Sequence, residues 1–181
     1  MDVLVVVDMQ NDFVSGALGT PEACDIVPYV VGRVVDGLNR GERIFFTRDT
    51  HGPDYAQTQE GRKLPVPHCI RGTEGWEIIP QLQEYADHPV DKPTFGSTAL
   101  GQLLKAQNED LLRQGKHGVE KVTLIGVCTD ICVLSNALLI KAFLPEAEIV
   151  VDSGCCAGVT PQAHRTALAA MSACQITVTG Q

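Results

Sequence analysis

The sequence predicts an α/β protein built on a doubly wound, mostly parallel sheet of six strands with helices on both faces. Short runs rich in β-branched residues recur along the chain, and segments with apolar residues at helical spacing separate them. Runs of this kind are typical of strands that are buried on both faces of a parallel sheet. A length of 181 residues suits one sizeable core, so we expect residues 1–181 to form a single domain.

The first half of the chain is predicted to alternate strand, helix and strand before a long irregular stretch. Residues 2–8 contain five consecutive apolar residues and residues 42–48 contain a second apolar run, which predicts two strands. Between them, residues 24–39 carry apolar side chains at helical spacing and end near Gly41, which predicts a helix. Residues 50–75 are rich in Gly, Pro and polar residues, and a loop this long in a compact domain is usually functional.

The second half of the chain is predicted to continue the alternation of helix and strand. Ser97 is a suitable N-cap for one of these helices, and Pro161 suits the first turn of the last one. The helices are expected at residues 76–85, 98–114, 130–143 and 161–172, and the strands at 88–91, 120–126, 147–152 and 174–179.

Composition excludes several classes of function. The formal net charge of −8 disfavours binding to nucleic acid or to an anionic membrane surface. No apolar run approaches the ~20 residues of a membrane span, and a strand at the very start leaves no room for a signal peptide. The seven cysteines form no recognisable disulfide framework or zinc ribbon, which fits a reducing compartment. We therefore expect a cytoplasmic protein without nucleic-acid or membrane partners.

Four polar residues, Asp8, Asp49, Lys92 and Cys132, each follow a separate apolar run. Ligands of open α/β sheets bind outside the carboxyl ends of the strands, so these side chains are expected to meet in one cleft. Cys132 falls in the first turn of a predicted helix, where the helix dipole favours the nucleophilic thiolate. Asp8 and Lys92 beside it would form a Cys-Asp-Lys triad. A structural ion pair is the alternative interpretation of Asp8 and Lys92, and Cys128 is the competing nucleophile.

A second group of residues has the composition of a metal site. Asp49 and His51 are two residues apart at the end of a predicted strand and face the same way in extended chain. His68 follows the long loop, and the loop offers Glu60 or Asp54 as a fourth ligand. Two histidines with one or two carboxylates suit a divalent transition metal, with Zn²⁺ favoured and Mn²⁺ or Fe²⁺ as alternatives.

Four segments, each at the end of a predicted strand, together resemble the cysteine hydrolase family that contains nicotinamidases and isochorismatase-like proteins. These segments are Val7-Asp8-Met9-Gln10-Asn11-Asp12-Phe13, Thr47-Arg48-Asp49-Thr50-His51, Asp91-Lys92-Pro93-Thr94-Phe95-Gly96-Ser97-Thr98 and Gly126-Val127-Cys128-Thr129-Asp130-Ile131-Cys132-Val133. The resemblance implies the isochorismatase-like hydrolase fold and a catalytic triad of Asp8, Lys92 and Cys132. It also implies a cis peptide at Val127–Cys128 and an oxyanion hole formed by the backbone N–H groups of Cys128 and Cys132.

The same resemblance extends to the metal and the substrate. It implies four metal ligands and three aromatic substrate-binding residues: Asp49, His51, Glu60 and His68 for the metal, and Phe13, Trp76 and Phe95 for the substrate, with Trp76 and Phe95 as alternatives for the far side of the ring. The expected partners are a small-molecule amide and further copies of the chain, since members of this family commonly form homo-oligomers.

The function that the sequence predicts is a metal-dependent nicotinamidase-like amidohydrolase of pyridine nucleotide salvage. It would convert nicotinamide and water to nicotinic acid and ammonia through a cysteine thioester. Two alternatives stay open at this point: a metal-free cysteine amidohydrolase of another small amide or ureide, and a non-enzymatic thiol redox or binding protein on the same fold.

Overall fold

A computed structural model describes residues 1–180 and has a six-stranded sheet at its centre. Every neighbouring pair of strands is parallel, in the spatial order β3-β2-β1-β4-β5-β6. The strands are β1 (Asp2–Val7), β2 (Arg43–Asp49), β3 (Val90–Lys92), β4 (Lys121–Val127), β5 (Glu148–Ala157) and β6 (Thr177–Thr179). The predicted fold class is confirmed. The chain winds outward from β1 in one direction and from β4 in the other, which creates the topological switch point where ligands bind.

Seven α-helices cover the sheet in the described part of the chain. They are α1 (Asn11–Val14), α2 (Pro21–Asp25), α3 (Val27–Asn39), α4 (Gln59–Lys63), α5 (Thr98–Arg113), α6 (Leu134–Phe143) and α7 (Pro161–Ala173). The prediction of one helix at residues 24–39 was wrong in its first residues, since α2 and α3 meet at Ile26. The long loop predicted at 50–75 contains α4, whose first N–H groups are capped by the Thr58 hydroxyl.

The helix predicted at residues 76–85 is absent. The stretch contains only parts of two short 3₁₀ turns, Glu74–Trp76 and Gln83–Tyr85. Pro80 disfavours a helix here because it lacks an N–H and restricts the backbone of the residue before it. Apolar residues of this stretch are nevertheless buried. Ile78, for example, forms a bridge with Gln10 beside β1.

All six strands differ from the expected bounds by at least one residue, and the largest differences are in β3, β5 and β6. Lys92 is the last residue of β3 rather than the first residue after it, and β5 continues to Ala157. Strand β6 is limited to three residues. The register between β4 and β5 shifts near Gly126, whose φ is +110°. A Cβ at Gly126 would lie 2.2 Å from the carbonyl oxygen of Val7, so only glycine allows β4 to lie this close to β1.

Strand β1, at the centre of the sheet, is buried on both faces. Val3, Val5 and Val7 of β1 pack into the core on one face, and Leu4 and Val6 pack into the core on the other. All five side chains have no solvent exposure, which explains the continuous apolar run in the sequence. Within residues 1–180, no helix combines the length and the apolar character needed to cross a membrane.

Candidate active site and metal centre

Asp8 comes directly after β1 and is completely buried. Its φ of 50° lies in the left-handed region, which aspartate tolerates better than most residues. The Thr47 hydroxyl of the neighbouring strand β2 donates a 2.7 Å hydrogen bond to Asp8 Oδ1, and Asp8 N–H donates to the same hydroxyl. The turn after β1 therefore holds the carboxylate at the carboxyl edge of the sheet.

Lys92 connects the predicted catalytic residues. Its Nζ lies 2.7 Å from Asp8 Oδ2, 3.4 Å from Cys132 Sγ and 3.3 Å from Asp49 Oδ1. Burial alone would lower the pKa of Lys92, but the surrounding acidic groups, with Asp8 the strongest, together outweigh it and raise the pKa, so the side chain is an ammonium ion. The structure thus brings Asp8, Lys92 and Cys132, which are distant in sequence, into one buried cluster.

Cys132 lies in a π-helical turn, Thr129–Val133, that joins β4 to α6. The peptide bond before this turn, Val127–Cys128, is cis, as the resemblance implied. The expectation of a depressed thiol pKa was wrong. Cys132 is only 5% exposed, and both burial and the Asp8 carboxylate raise its pKa well above 9.0 despite the opposing charge of Lys92. The resting state is therefore a neutral thiol beside a carboxylate that can accept its proton.

The Asp8 carboxylate is suited to that exchange. Burial raises the pKa of Asp8 above its ordinary value of 3.8, and the Lys92 ammonium and the Thr47 hydroxyl oppose this rise. A raised pKa makes a carboxylate a stronger base, provided that it stays ionised at the working pH. Burial likewise raises the pKa of the neighbouring Cys128 thiol, to about 12.

The predicted metal donors converge about Asp49 at the end of β2. One ligand atom each from Asp49, His51 and His68 lies within 4.8 Å of the other two, and all three residues are buried. Asp49 Oδ2 is 2.9 Å from His51 Nε2 and 3.6 Å from His68 Nε2. Glu60 on α4 places Oε1 3.7 Å from His51 Nε2 and 3.9 Å from His68 Nε2. Asp54, the other candidate ligand, is exposed and does not join this group.

The chemistry of these donors fits a divalent cation. The Nδ1 of His68 bonds the carbonyl oxygen of Val66 at 2.9 Å, so Nδ1 carries the proton and Nε2 keeps its lone pair for a ligand. The buried Nε2 of His51 has no hydrogen-bond partner. Burial would lower the pKa of His68, but the Asp49 carboxylate 3.6 Å from Nε2 and the hydrogen bond to Val66 raise it above 6.5. This group of residues therefore attracts positive charge, as a metal site must.

Electrostatics point the same way for the central carboxylate. Burial would raise the pKa of Asp49, but the adjacent rings of His51 and His68 and the Lys92 charge hold the pKa below its ordinary value. Asp49 is therefore ionised and can serve both Lys92 and a metal. Two neutral imidazoles with one or two carboxylates form a donor set suited to Zn²⁺ or a neighbouring transition metal.

A cleft of about 560 Å³ opens onto both groups of residues. Its lining includes Cys132, Asp49 and His68, together with the rings of Phe13 and Phe95. Phe13 is buried beside His68, with ring centroids 5.5 Å apart, whereas Phe95 is 47% exposed. Both phenylalanines therefore lie where the sequence placed substrate contacts.

Trp76 does not line the cleft, so its assignment as a substrate contact is corrected. Its indole N–H donates a 2.8 Å hydrogen bond to the Thr50 hydroxyl, and the guanidinium of Arg48 lies 3.4 Å from its ring centroid. The ring is 9% exposed and packs in the core. Trp76 thus supports the end of β2 from outside the cleft.

Sequence reasoning missed several polar residues that hold the site together. The Gln10 side chain accepts from Asp49 N–H at 2.7 Å and donates to Asp49 C=O at 2.9 Å, which fixes the metal donor. Asp12 Oδ2 accepts a 2.8 Å hydrogen bond from the backbone N–H of Cys69, the residue after His68. Asn136 on α6 donates to the carbonyl oxygen of Cys132. Gln10 and Asp12 lie inside a quoted segment, but no spacing in the sequence signals Asn136.

Comparisons with known proteins agree with this geometry. The model of the isochorismatase domain matches residues 2–181. A nicotinamidase from Escherichia coli (strain K12) is 28% identical over 193 residues, covering 93% of this chain and 88% of that protein.

Solved structures give the same result. A nicotinamidase/pyrazinamidase from Bacillus subtilis superposes with a TM-score of 0.78 at 27% identity, covering 98% of each chain. A pyrazinamidase from Pyrococcus horikoshii in complex with zinc superposes with a TM-score of 0.75 at 27% identity, covering 99% of each chain. Because the isochorismatase domain model matches residues 2–181, nearly the whole of this chain, the chain belongs to the isochorismatase domain family.

Proposed function

We propose that this protein is a metal-dependent, nicotinamidase-like amidohydrolase that converts nicotinamide and water to nicotinic acid and ammonia. One observation carries the proposal. A cysteine sulfur, a lysine ammonium and an aspartate carboxylate are in contact through Lys92 Nζ, which lies 3.4 Å from Cys132 Sγ and 2.7 Å from Asp8 Oδ2. The cluster opens onto the same cleft as the metal donors. The similarity to nicotinamidases supports the choice of amide.

Acylation begins with a proton transfer from the Cys132 thiol to the Asp8 carboxylate. The sulfur attacks the carboxamide carbon, and a tetrahedral intermediate forms with its negative charge on oxygen. The backbone N–H groups of Cys128 and Cys132 stabilise that oxyanion. The carbon–nitrogen bond then breaks as Asp8 returns its proton to the leaving nitrogen, which departs as ammonia and leaves a thioester on Cys132.

Deacylation reverses the proton transfers with water as the nucleophile. Asp8 accepts a proton from water, the resulting hydroxide attacks the thioester carbon, and the carbon–sulfur bond breaks. The proton on Asp8 returns to the sulfur, which restores the thiol and releases nicotinic acid. Lys92 stays protonated throughout, and its charge stabilises both the ionised Asp8 and the developing thiolate.

Asp49, His51, His68 and Glu60 are the residues that would hold the metal. A divalent cation bound there would supply a Lewis acid for a nitrogen donor of the substrate. The zinc complex of the Pyrococcus horikoshii relative supports Zn²⁺ as the ion. Phe13 and Phe95 then contact the ring as the aromatic walls of the cleft.

The first experiment is ammonia release from nicotinamide under reducing, metal-replete conditions, with wild-type protein compared with Cys132→Ala. We expect turnover by the wild type and at least a ~10³-fold loss in the variant, because the nucleophile is removed. No ammonia from the wild type would remove nicotinamide as the substrate. Metal analysis of the purified protein then checks whether one transition metal is bound per chain.

Neither alternative interpretation gains a specific observation in its favour. A metal-free amidase would not need His51 and His68 to direct their Nε2 atoms toward Asp49. A thiol redox protein needs a ready supply of thiolate, whereas the pKa of both Cys128 and Cys132 is raised. Hydrolysis at Cys132 therefore accounts for more of the site.

The remaining proposals concern the setting of the enzyme. We propose that residues 1–181 act as one domain, in the cytoplasm, as a homo-oligomer and in pyridine nucleotide salvage. The family match over residues 2–181 supports one domain. The net charge of −8 supports the proposal that nucleic acids and membranes are not partners. Light scattering of the purified protein tests the oligomeric state.

A further inference from the structure

A buried asparagine that the mechanism does not use connects two walls of the cleft. Asn136 lies on α6 and is completely buried. Its Nδ2 donates to the carbonyl oxygen of Cys132 at 2.8 Å and to that of Phe95 at 3.1 Å. Its Oδ1 accepts from Ser97 N–H at 2.9 Å. One side chain thus binds the nucleophile's own residue and the segment opposite it.

That segment, residues 93–97, links Lys92 at the end of β3 to the start of α5. It carries Phe95, which lines the cleft with nearly half of its surface exposed. Gly96 packs directly on α6, since a Cβ there would lie 2.4 Å from Leu139 Cδ1 and 3.2 Å from Ser135 O. In addition to this packing, the hydrogen bonds of Asn136 hold the segment against α6.

An asparagine amide meets both requirements of this position. Its NH₂ group supplies two donors for two carbonyl oxygens, and its oxygen accepts the one N–H. A carboxylate would place an acceptor against those carbonyls, and an apolar side chain would leave all three main-chain groups without their partner. The geometry therefore selects for an amide rather than for any buried side chain of this size.

We propose that Asn136 is a positioning residue that fixes the wall carrying Phe95 relative to Cys132, and that it acts on substrate binding through Phe95. This inference rests on the proposed function only for its substrate. We expect that removing the side-chain amide of Asn136 widens the cleft on the Phe95 side, where the aromatic ring of the substrate binds. The consequence is weaker binding without loss of the nucleophile.

The kinetic test compares Asn136→Leu, Phe95→Ala and the double variant with nicotinamide as the substrate. We expect each single change to raise KM roughly tenfold, with kcat within about threefold of wild type. If Asn136 acts through Phe95, the KM of the double variant equals that of Phe95→Ala. Ile140→Ala, a buried change one turn further along α6, is the control for lost stability and should leave KM unchanged.

A second readout needs no turnover. Hydrogen exchange of peptides that cover residues 93–97 should be faster in Asn136→Leu than in wild type and unchanged in Ile140→Ala. If Asn136→Leu does not fold, Asn136→Ser, which keeps a hydroxyl but loses the reach to Phe95, takes its place. If wild type does not hydrolyse nicotinamide, the proposed function fails, and the exchange rates alone decide the role of Asn136. Unchanged exchange at 93–97, or KM effects that multiply in the double variant, would overturn the inference.

Discussion

Replacing Lys92 with methionine leaves Asp8 as an unpaired charge inside the protein. Both side chains are almost fully buried, and Nζ lies 2.7 Å from Oδ2. At this distance and an effective dielectric constant of about 20, the gross attraction is about 6 kcal/mol. Because the variant no longer desolvates an ammonium, part of that loss is recovered. We expect a net fall of about 3–5 kcal/mol in the free energy of unfolding.

The pH dependence of that loss identifies its cause. Burial already raises the pKa of Asp8, and removing the Lys92 charge raises it further. The penalty is full above this raised pKa, where Asp8 is ionised in the folded protein, and it is lost completely only below the ordinary value of 3.8. It therefore shrinks as the pH falls through that pKa and the carboxyl group becomes neutral. The difference between wild type and Lys92→Met should be largest at alkaline pH and smallest at acidic pH.

Urea unfolding at several pH values measures this difference, and unchanged m-values check that both proteins unfold in the same way. The double variant Asp8→Asn, Lys92→Met is the matched control, since it removes both charges and should regain most of the lost stability. Equal unfolding midpoints for wild type and Lys92→Met would refute the reasoning. So would a loss that does not change with pH.

Three further predictions concern the nucleophile, the metal and the base. Cys128→Ala should keep activity within about tenfold of wild type, since only the backbone N–H of this residue is used, whereas Cys132→Ala should lose at least ~10³-fold in an ammonia-release assay. His51→Ala should lower the amount of metal bound per chain, measured by elemental analysis. An unchanged metal content would show that His51 is not a ligand. The acid limb of kcat/KM should lie above pH 3.8, because burial raises the pKa of Asp8 and the base must be ionised. Thr47→Val removes a hydrogen bond to the ionised carboxylate, so it should raise that pKa and move the limb to higher pH; a shift to lower pH would contradict this role.

The centre of the sheet could be predicted from sequence because β1 and β4 are buried on both faces and are therefore apolar along most of their length. The run at residues 3–7 favours a buried strand because it is short and rich in valine. Two other elements were predicted less well, one because of a proline and one because it is very short. Pro80 prevents the helix that apolar spacing suggested at residues 76–85. A three-residue strand such as β3 has too little pattern to fix its ends within one residue.

For the site, the sequence pattern identifies the residues at the strand ends, but it does not show how deeply each side chain is buried. Asp8, Asp49, Lys92 and Cys132 could be identified because polar residues at the ends of parallel strands share one edge of a sheet. The thiol pKa could not be predicted, because the helix terminus was visible in the sequence but the depth of burial was not. The position of Trp76 could not be predicted either, since an indole packs equally well in a core or in a cleft.

Hydrolysis by the proposed mechanism requires that the acyl group of nicotinamide is transferred to the sulfur of Cys132. Rapid acid quenching during turnover, followed by peptide mass spectrometry, tests it directly, because a thioester survives at low pH. We expect a nicotinoyl adduct on the peptide that contains Cys132, located to that residue by fragmentation and absent from Cys132→Ala. Ammonia release by wild type with the adduct on Cys128, or release that persists in Cys132→Ala, would contradict it.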